Sequence, residues 1–242
     1  MRPLLLLLLC LAIPARAWGQ QAAPPSTAIA YRNVLDTLSG AKLPRLTDAR
    51  TPQARAVNRQ LDSISAELRC AEVINEFGEK NEHWSVTRTT YAADDVLSVF
   101  IRFGGFCGGA HPINGENVSQ TFDLRTGKPV QFRDLFADYE RDRHAIVRAL
   151  FPAQTTAADR LSPSQIEQAG DEELCLSLYA TEELGRTTFS YAFADSGVVV
   201  EPSMGHVVRS CQEEAVVPYE RLRPFAAPDG ILARVAAARS PS

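Results

Sequence analysis

Three stretches of strand-forming residues follow one another near the middle of the chain, and they constrain the fold more than any other part of the sequence. They cover residues 84–92, 96–103 and 117–124, and only residues 93–95 separate the first two. Because so short a connection joins antiparallel neighbours, the pattern predicts an antiparallel meander. The middle stretch is apolar at nearly every position instead of alternating, which predicts a central strand covered on both faces.

Helical and strand patterns continue on both sides of this meander. Apolar residues at steps of three and four predict helices, and alternating aromatic residues before a Gly-containing turn predict a hairpin. The helices predicted are one that opens at Thr51-Pro52 and carries Val57, Leu61, Ile64 and Leu68, one over residues 139–150 with His144, Val147 and Leu150 on one face and Pro152 at its end, a helical zone over residues 162–178 that breaks near Gly170, and a last helix from about Pro228. A turn is predicted at residues 125–128, with Gly127 at positive φ. Further strands are predicted as a hairpin on either side of Asp195-Ser196-Gly197 and as short strands at residues 207–208 and 215–217. Strands, then helices, then strands again indicate an α+β fold with helices packed on a mainly antiparallel sheet, and we expect residues 51–240 to form a single domain.

The first 17 residues have the features of a secretory signal peptide. Arg2 precedes an apolar run over residues 4–13, and Ala15 and Ala17 form an A-x-A cleavage pattern. That run is shorter than the roughly 20 apolar residues that span a bilayer, so we expect a periplasmic or secreted bacterial protein with no membrane span after cleavage. Residues 18–50 are expected to be a flexible leader, because their Gln-, Ala-, Pro- and Ser-rich start buries little apolar surface.

The charge balance argues against a nucleic-acid partner. Without Arg2 and Arg16 the chain has 23 basic and 29 acidic side chains, a net charge of −6. Proteins bind phosphate backbones with clustered Lys and Arg, and this sequence has only three lysines, Lys42, Lys80 and Lys128. We therefore expect no nucleic acid among the partners.

Four cysteines follow the signal peptide, an even number that suits an oxidising compartment. They are Cys70, Cys107, Cys175 and Cys211. Disulfides are the first interpretation, and of the three possible pairings we favour Cys70 with Cys107 and Cys175 with Cys211, since each pair then joins one half of the domain. The alternative is a zinc site, but the closely spaced ligand pairs of structural zinc sites are missing from the sequence. We expect neither a metal nor a cofactor.

A set of motifs resembles a known exported family. The motifs are Gly108-Gly109-Ala110-His111-Pro112, Phe122-Asp123-Leu124, Thr126-Gly127-Lys128, Asp134-Leu135-Phe136 and the segment from Val216 to Leu222. Together they resemble the extracellular domain of RsiV-type anti-sigma factors, domain of unknown function 3298, over residues 86–222. The region before them is similar to the smaller companion domain that often precedes it.

The resemblance implies an α+β domain of the cell envelope that binds a partner. One family member senses lysozyme by binding it, and a similar domain precedes the catalytic domain of a peptidoglycan deacetylase. Because we see no transmembrane segment, no cytoplasmic sigma-binding part and no appended catalytic domain in the sequence, we expect neither signalling nor deacetylation to carry over. The function expected is an exported envelope binding module for peptidoglycan or a wall-active protein such as lysozyme.

Five residues are candidates for ligand binding, and all lie in or beside the motifs. His111 follows a glycine-rich loop that also contains Cys107, and it is either a ligand contact or a structural imidazole bonded to loop carbonyls. The flanking cations suggest a shallow basic surface for an acidic glycan or a partner's carboxylate; they are Arg102, Arg125, Lys128 and Arg133. No catalytic motif accompanies them. The alternative function is a metal-assisted envelope hydrolase or deacetylase that uses His111.

Overall fold

The computed structural model describes residues 27–69, 83–105, 113–167 and 170–239 of the 242-residue chain. These residues form strands and helices in an α+β arrangement, as predicted. The strands are β1 (Tyr31–Leu35), β2 (Lys42–Leu46), β3 (His83–Ala93), β4 (Val96–Gly105), β5 (Ile113–Asn117), β6 (Gln120–Asp123), β7 (Lys128–Pro129), β8 (Phe189–Ala194), β9 (Gly197–Pro202) and β10 (Ala215–Val217). The helices are α1 (Pro52–Glu67), α2 (Tyr139–Leu150), α3 (Pro152–Ala158), α4 (Pro163–Glu167), α5 (Asp171–Ser177), α6 (Thr181–Leu184), α7 (Tyr219–Leu222) and α8 (Ile231–Arg239), with 3₁₀ turns at Phe132–Leu135, His206–Cys211 and Arg223–Phe225.

The predicted meander is confirmed and forms the first sheet. β4 is its central strand, because β3 pairs with one edge while β5 and β6 share the other, all antiparallel. The single strand predicted over residues 117–124 begins earlier and is interrupted between β5 and β6. At the interruption the Ile101 amide donates a hydrogen bond to the hydroxyl of Ser119 at 3.1 Å, in place of a backbone hydrogen bond between strands. The turn into β7 requires a glycine, since Gly127 has φ +71° and a Cβ there would lie 2.7 Å from Gln53 Cα.

The side chains of β4 alternate between two cores on opposite faces of the first sheet. Leu97, Val99 and Ile101 pack with the buried face of α1 and with Leu43 of β2. Val96 points the other way into a larger cluster built on α2, α8 and the second sheet. β4 is therefore covered on both faces, as its continuous apolar sequence predicts.

The second sheet has the order β10-β9-β8, all antiparallel, and contains the predicted aromatic hairpin. The free edge of β8 lies against the face of the first sheet, where the Phe193 amide donates to Ser98 Oγ at 3.1 Å. Ser98 Oγ also shares a hydrogen bond with Thr121 Oγ1 at 2.6 Å, and both hydroxyls belong to fully buried residues. Because these buried hydroxyls are satisfied, the contact fixes the position of the second sheet on the first.

The predicted disulfide between Cys175 and Cys211 is confirmed and joins α5 to the 3₁₀ turn at His206–Cys211. Cys70 and Cys107, the other predicted pair, lie outside the described residues. Among the described residues, no helix combines the length and the hydropathy needed to cross a bilayer.

Two local expectations differ from the structure. Part of the leader expected at residues 18–50 is an ordered hairpin of β1 and β2, because Leu43 and Leu46 are buried against α1 and the Asn58 side chain bonds both backbone groups of Leu46. The strand expected at residues 207–208 is a 3₁₀ turn with Val207 almost fully exposed. The helix predicted over residues 139–150 is confirmed as α2, and Pro152, predicted to end it, opens α3 directly afterwards, since proline is tolerated in the first turn of a helix.

Candidate binding site at the corner between the two sheets

A buried carboxylate joins the two sheets at one end of β4. Glu201 of β9 is 2% exposed, and it accepts hydrogen bonds from three side chains. Arg102 Nη2 of β4 and Asn117 Nδ2 of β5 both reach Glu201 Oε2, at 2.6 and 2.8 Å. Gln212 Nε2 reaches Glu201 Oε1 at 2.6 Å. A buried carboxylate persists only when it is paired and hydrogen-bonded in this way, so these contacts hold Arg102 in one place.

A second set of hydrogen bonds surrounds Asn117 on the side away from Glu201. Asn117 Oδ1 accepts the hydroxyls of Ser190 at 2.7 Å and Ser119 at 2.5 Å. Ser190 belongs to β8, so both β8 and β9 are bonded to the end of β5. The strands that flank residues 106–112 on either side, β4 and β5, are thus both anchored to the second sheet.

Next to Arg102, the edge strand β3 presents an aromatic and an aliphatic side chain to solvent. In the antiparallel register Val86 lies opposite Arg102 and Trp84 lies opposite Gly104. Residues directly opposite one another point to the same face of a sheet, so Trp84, Val86 and Arg102 share a face. Trp84 is 46% exposed and Val86 is 52% exposed, whereas most of the neighbouring β4 side chains are buried.

Arg88 completes this face from the next position on β3. Its guanidinium carbon lies 4.4 Å from the centre of the Phe100 ring, and that of Arg102 lies 5.9 Å from the same ring. The Arg88 head group also lies 3.8 Å from Glu214 Oε1, which precedes β10. Cation–π contact with a buried ring holds each arginine against the sheet while its head group stays accessible.

The second sheet forms the other wall of the corner. Val199 of β9 lies opposite Val216 of β10, and Glu201 is two residues beyond Val199, so all three side chains point to one face. The contacts Arg102–Glu201 and Arg88–Glu214 show that this face meets the Trp84 side of the first sheet. We call the surface formed by Trp84, Val86, Arg88, Arg102, Glu201, Glu214 and Val216 the corner.

Of the predicted ligand-binding cations, only Arg102 lies in the corner. Arg125 is two residues beyond Asp123, which pairs with Val96 of β4. Val96 lies six residues, or about 20 Å, along β4 from Arg102. Lys128 is exposed on β7 beside that turn, and Arg133 lies in the 3₁₀ turn Phe132–Leu135, paired with Glu140 at 2.7 Å. The four cations therefore do not form one surface.

His111, the remaining predicted contact, lies outside the described residues, as do the glycines around it at positions 108 and 109. His144, whose side chain is half exposed, is expected on the buried face of α2 but instead pairs with Glu182 at 2.8 Å. The described residues contain no cluster of three or more His, Cys, Asp or Glu side chains that could hold a metal ion.

The corner can bind a ligand through stacking and donated hydrogen bonds. Trp84 offers an exposed indole, and the Arg88 guanidinium has no hydrogen-bond partner among the described residues apart from its long contact with Glu214. Arg102 Nε is buried and likewise has no hydrogen-bond partner within the described part of the chain. The two glutamates balance the two arginines, so the corner as a whole is close to neutral. This suits a ligand with one apolar face and several polar groups.

Sequence reasoning selected Arg102 but missed Glu201, Trp84 and Arg88. One signal for Glu201 was available, since it is the only acid in the apolar strand Gly197–Pro202, and a lone charge in such a strand needs a partner. For Trp84 the signal was alternation on β3, which places it with Val86 on one face. Nothing in the sequence identifies the partner, because Arg102 and Glu201 are 99 residues apart.

Comparison with known proteins adds two distant likenesses in structure. No protein-family model matches the chain, and no curated protein does. The chain is similar to a crystal structure of a DUF3298 family member from Bacteroides fragilis, with 14% identity, a TM-score of 0.46 and coverage of 75% of this chain and 68% of that one. It is also similar to a DUF3298 family protein from Pseudomonas aeruginosa, with 17% identity, a TM-score of 0.37 and coverage of 85% and 96%. Both are DUF3298 family proteins, and this is the family that the sequence motifs resemble.

Proposed function

We propose that this chain is an exported binding module of the bacterial cell envelope that holds a peptidoglycan fragment in the corner. The observation that carries the proposal is the half-exposed indole of Trp84 beside two arginines that are fixed against the sheet. A sugar ring has an apolar face that stacks on an indole, and hydroxyl and carbonyl oxygens around its edge that accept from guanidinium groups.

The rigidity of the corner supports a binding role. Glu201 holds Arg102, the Phe100 ring supports Arg88, and Trp84 lies on a strand paired to β4 over its full length. A side chain that is already ordered loses little rotamer entropy when a ligand arrives, and each mobile side chain would cost about 0.5–1.5 kcal/mol. Preorganised groups therefore bind more tightly than the same groups on a mobile loop.

The compartment expected from the signal peptide is compatible with the structure. The Cys175–Cys211 disulfide requires an oxidising environment to persist, such as the periplasm or the cell exterior. Envelope location places the corner in contact with wall polymers and with the enzymes that cut them. The proposal includes the assignment of residues 86–222 as an RsiV-type extracellular domain and of the region before them as its companion domain.

Sedimentation with purified peptidoglycan tests the proposal. The folded protein should pellet with the polymer, and Trp84→Ala should weaken binding at least tenfold, equivalent to about 1.4 kcal/mol. Tyr31→Ala is the matched control, because Tyr31 is an exposed aromatic residue on a different sheet, and it should bind as the native protein does.

Three results would count against a glycan ligand. Absence of the native protein from the pellet would reject it, and so would equal binding by Trp84→Ala and the control. If the native protein instead binds immobilised lysozyme and Trp84→Ala does not, then the corner binds a wall-active protein, and the choice of peptidoglycan is wrong.

A further inference from the structure

A cleft of about 290 Å³ lies on another part of the molecule, between the 3₁₀ turn Phe132–Leu135, the start of α2 and the segment that enters β8. Its walls combine two aromatic rings with several hydrogen-bonding side chains. The polar residues are Gln131, Arg133, Asp134, Tyr139, Thr187 and Thr188. Phe132 and Phe189 supply the apolar part, with ring centres 4.9 Å apart.

Tyr139 carries a buried hydroxyl that no other described residue pairs with. The residue is 5% exposed, and its ring packs against Phe136 and Phe132 at centre distances of 5.8 and 6.1 Å. Within the described part of the chain, its hydroxyl oxygen has no hydrogen-bond partner. Burial raises the pKa of Tyr139 above its usual value, so the group stays protonated and is a donor. Buried hydroxyls are normally paired, which makes this one a candidate ligand contact.

Arg133 adds further donors on the open side of the cleft. Its guanidinium carbon lies 5.0 Å from the centre of the Tyr139 ring, and its Nη1 donates to Glu140 Oε1 at 2.7 Å. The other guanidinium nitrogens have no hydrogen-bond partner among the described residues. Asp134 is already engaged, since its Oδ2 accepts the Gln131 amide at 3.2 Å.

The charges around the cleft select the kind of ligand. Two carboxylates, Asp134 and Glu140, lie beside Arg133, and Glu140 also lies 3.8 Å from Nη1 of a second cation, Arg143, so the charges balance and give an anionic ligand no net attraction. The unpaired groups are donors, which calls for an acceptor oxygen on a neutral molecule. The rings of Phe132 and Phe189 call for a small apolar group next to that oxygen. An acetamido group, with a carbonyl and a methyl on one carbon, meets both demands.

The geometry points to a second ligand site in this cleft, one that binds the acetamido group of a neutral sugar or amide, with its carbonyl accepting from Tyr139 and Arg133. No residue of this site belongs to the corner, so it stands independently of the function proposed there.

A nuclear magnetic resonance titration of the full chain with N-acetylglucosamine tests the site, with glucose as the probe that lacks the acetamido group. N-acetylglucosamine should shift the amide signals of residues 131–139 and 187–189, and glucose should not. Tyr139→Phe removes only the hydroxyl and should weaken this binding at least tenfold. Tyr31→Phe, the same change on an exposed tyrosine, should leave it unaltered, and so should Trp84→Ala.

Several outcomes would overturn the site. They are no shift at these residues, equal shifts with glucose, and unchanged binding by Tyr139→Phe. The stability of Tyr139→Phe gives a separate check, because removing an unpaired buried hydroxyl should leave the protein as stable as before or more stable. If the variant unfolds at a lower denaturant concentration than the native protein, then the hydroxyl already has a partner, and the site is rejected.

Discussion

Replacing Glu201 tests whether the buried carboxylate holds the two sheets together. Glu201→Gln keeps the size of the side chain but removes its charge. It also replaces one acceptor oxygen with an amide nitrogen, which donates hydrogen bonds but does not accept them. The native carboxylate accepts from Arg102, Asn117 and Gln212 at 2.6–2.8 Å. At least one of these donors should lose its acceptor in the variant.

The magnitude follows from burial. A hydrogen bond to a charged group contributes about 1.5–3 kcal/mol, and breaking a fully buried pair costs about 3–5 kcal/mol. The Arg102 side chain is 35% exposed, so water screens part of its charge, and the lower end of these ranges applies. We expect Glu201→Gln to lower the free energy of unfolding by about 2 kcal/mol and Glu201→Ala to lower it by about 3 kcal/mol.

Urea unfolding of a double-mutant cycle with Arg102→Ala isolates the pair itself. Arg133 and Glu140 provide a matched control, because their ion pair is just as short at 2.7 Å but both side chains are at least half exposed. We expect a coupling energy of about 1–2 kcal/mol for Arg102–Glu201, and below about 0.5 kcal/mol for the control pair. In 0.5 M NaCl only the control coupling should shrink, since buried pairs are screened less.

Equal coupling energies for the two pairs would refute this reasoning. The same conclusion would follow if Glu201→Gln unfolded at the native urea concentration, because the three hydrogen bonds would then be as favourable with water as with the carboxylate. In either case the second sheet would be held by the Ser98 and Thr121 contacts and by apolar packing alone.

Two further predictions concern stability elsewhere. Replacing both Cys175 and Cys211 with alanine opens a loop of 36 residues and should lower the free energy of unfolding by about 4 kcal/mol on the chain-entropy estimate, measured by urea unfolding against the native protein; a loss under 1 kcal/mol would contradict it. Asp95 has φ +60°, so Asp95→Gly should raise the melting temperature, because relief of left-handed backbone strain adds about 0.5–1 kcal/mol to the free energy of unfolding. Gly127→Ala should lower the melting temperature, because its new Cβ would lie 2.7 Å from Gln53 Cα. A change in the same direction for both variants would contradict the φ argument.

The strands and helices were predictable where one local pattern determines them. β4 is apolar at successive positions because both of its faces are covered, and the hairpin of β8 and β9 has alternating aromatics before a turn with Gly197 at positive φ. The 3₁₀ turn at His206–Cys211 was not predictable in the same way. The β propensity of Val207 and Val208 is overridden by the disulfide at Cys211 and by the Tyr179 hydroxyl, which donates to the Cys211 carbonyl at 3.1 Å.

The candidate sites depend on contacts between distant parts of the chain, which no local pattern encodes. From the sequence of β4 alone, Arg102 is expected to be an exposed surface cation. Only the fold shows that it forms an ion pair with Glu201 of β9. Arg125 and Lys128 flank the same group of motifs as Arg102, but they lie toward the opposite end of the antiparallel pair of β4 and β6. Proximity in sequence therefore grouped cations that the register of the sheet separates.

Substitutions of Arg102 and of Trp84 differ in what they reveal about binding in the corner. Arg102 ties β4 to β9, so a substitution there changes stability and ligand contact together, and a loss of binding by Arg102→Ala has two explanations. Trp84 is half exposed on an edge strand, and surface substitutions of this kind usually change stability by less than about 0.5 kcal/mol. A loss of binding by Trp84→Ala with unchanged unfolding therefore identifies the corner as a ligand surface, whereas Arg102 serves chiefly to show that the corner is rigid.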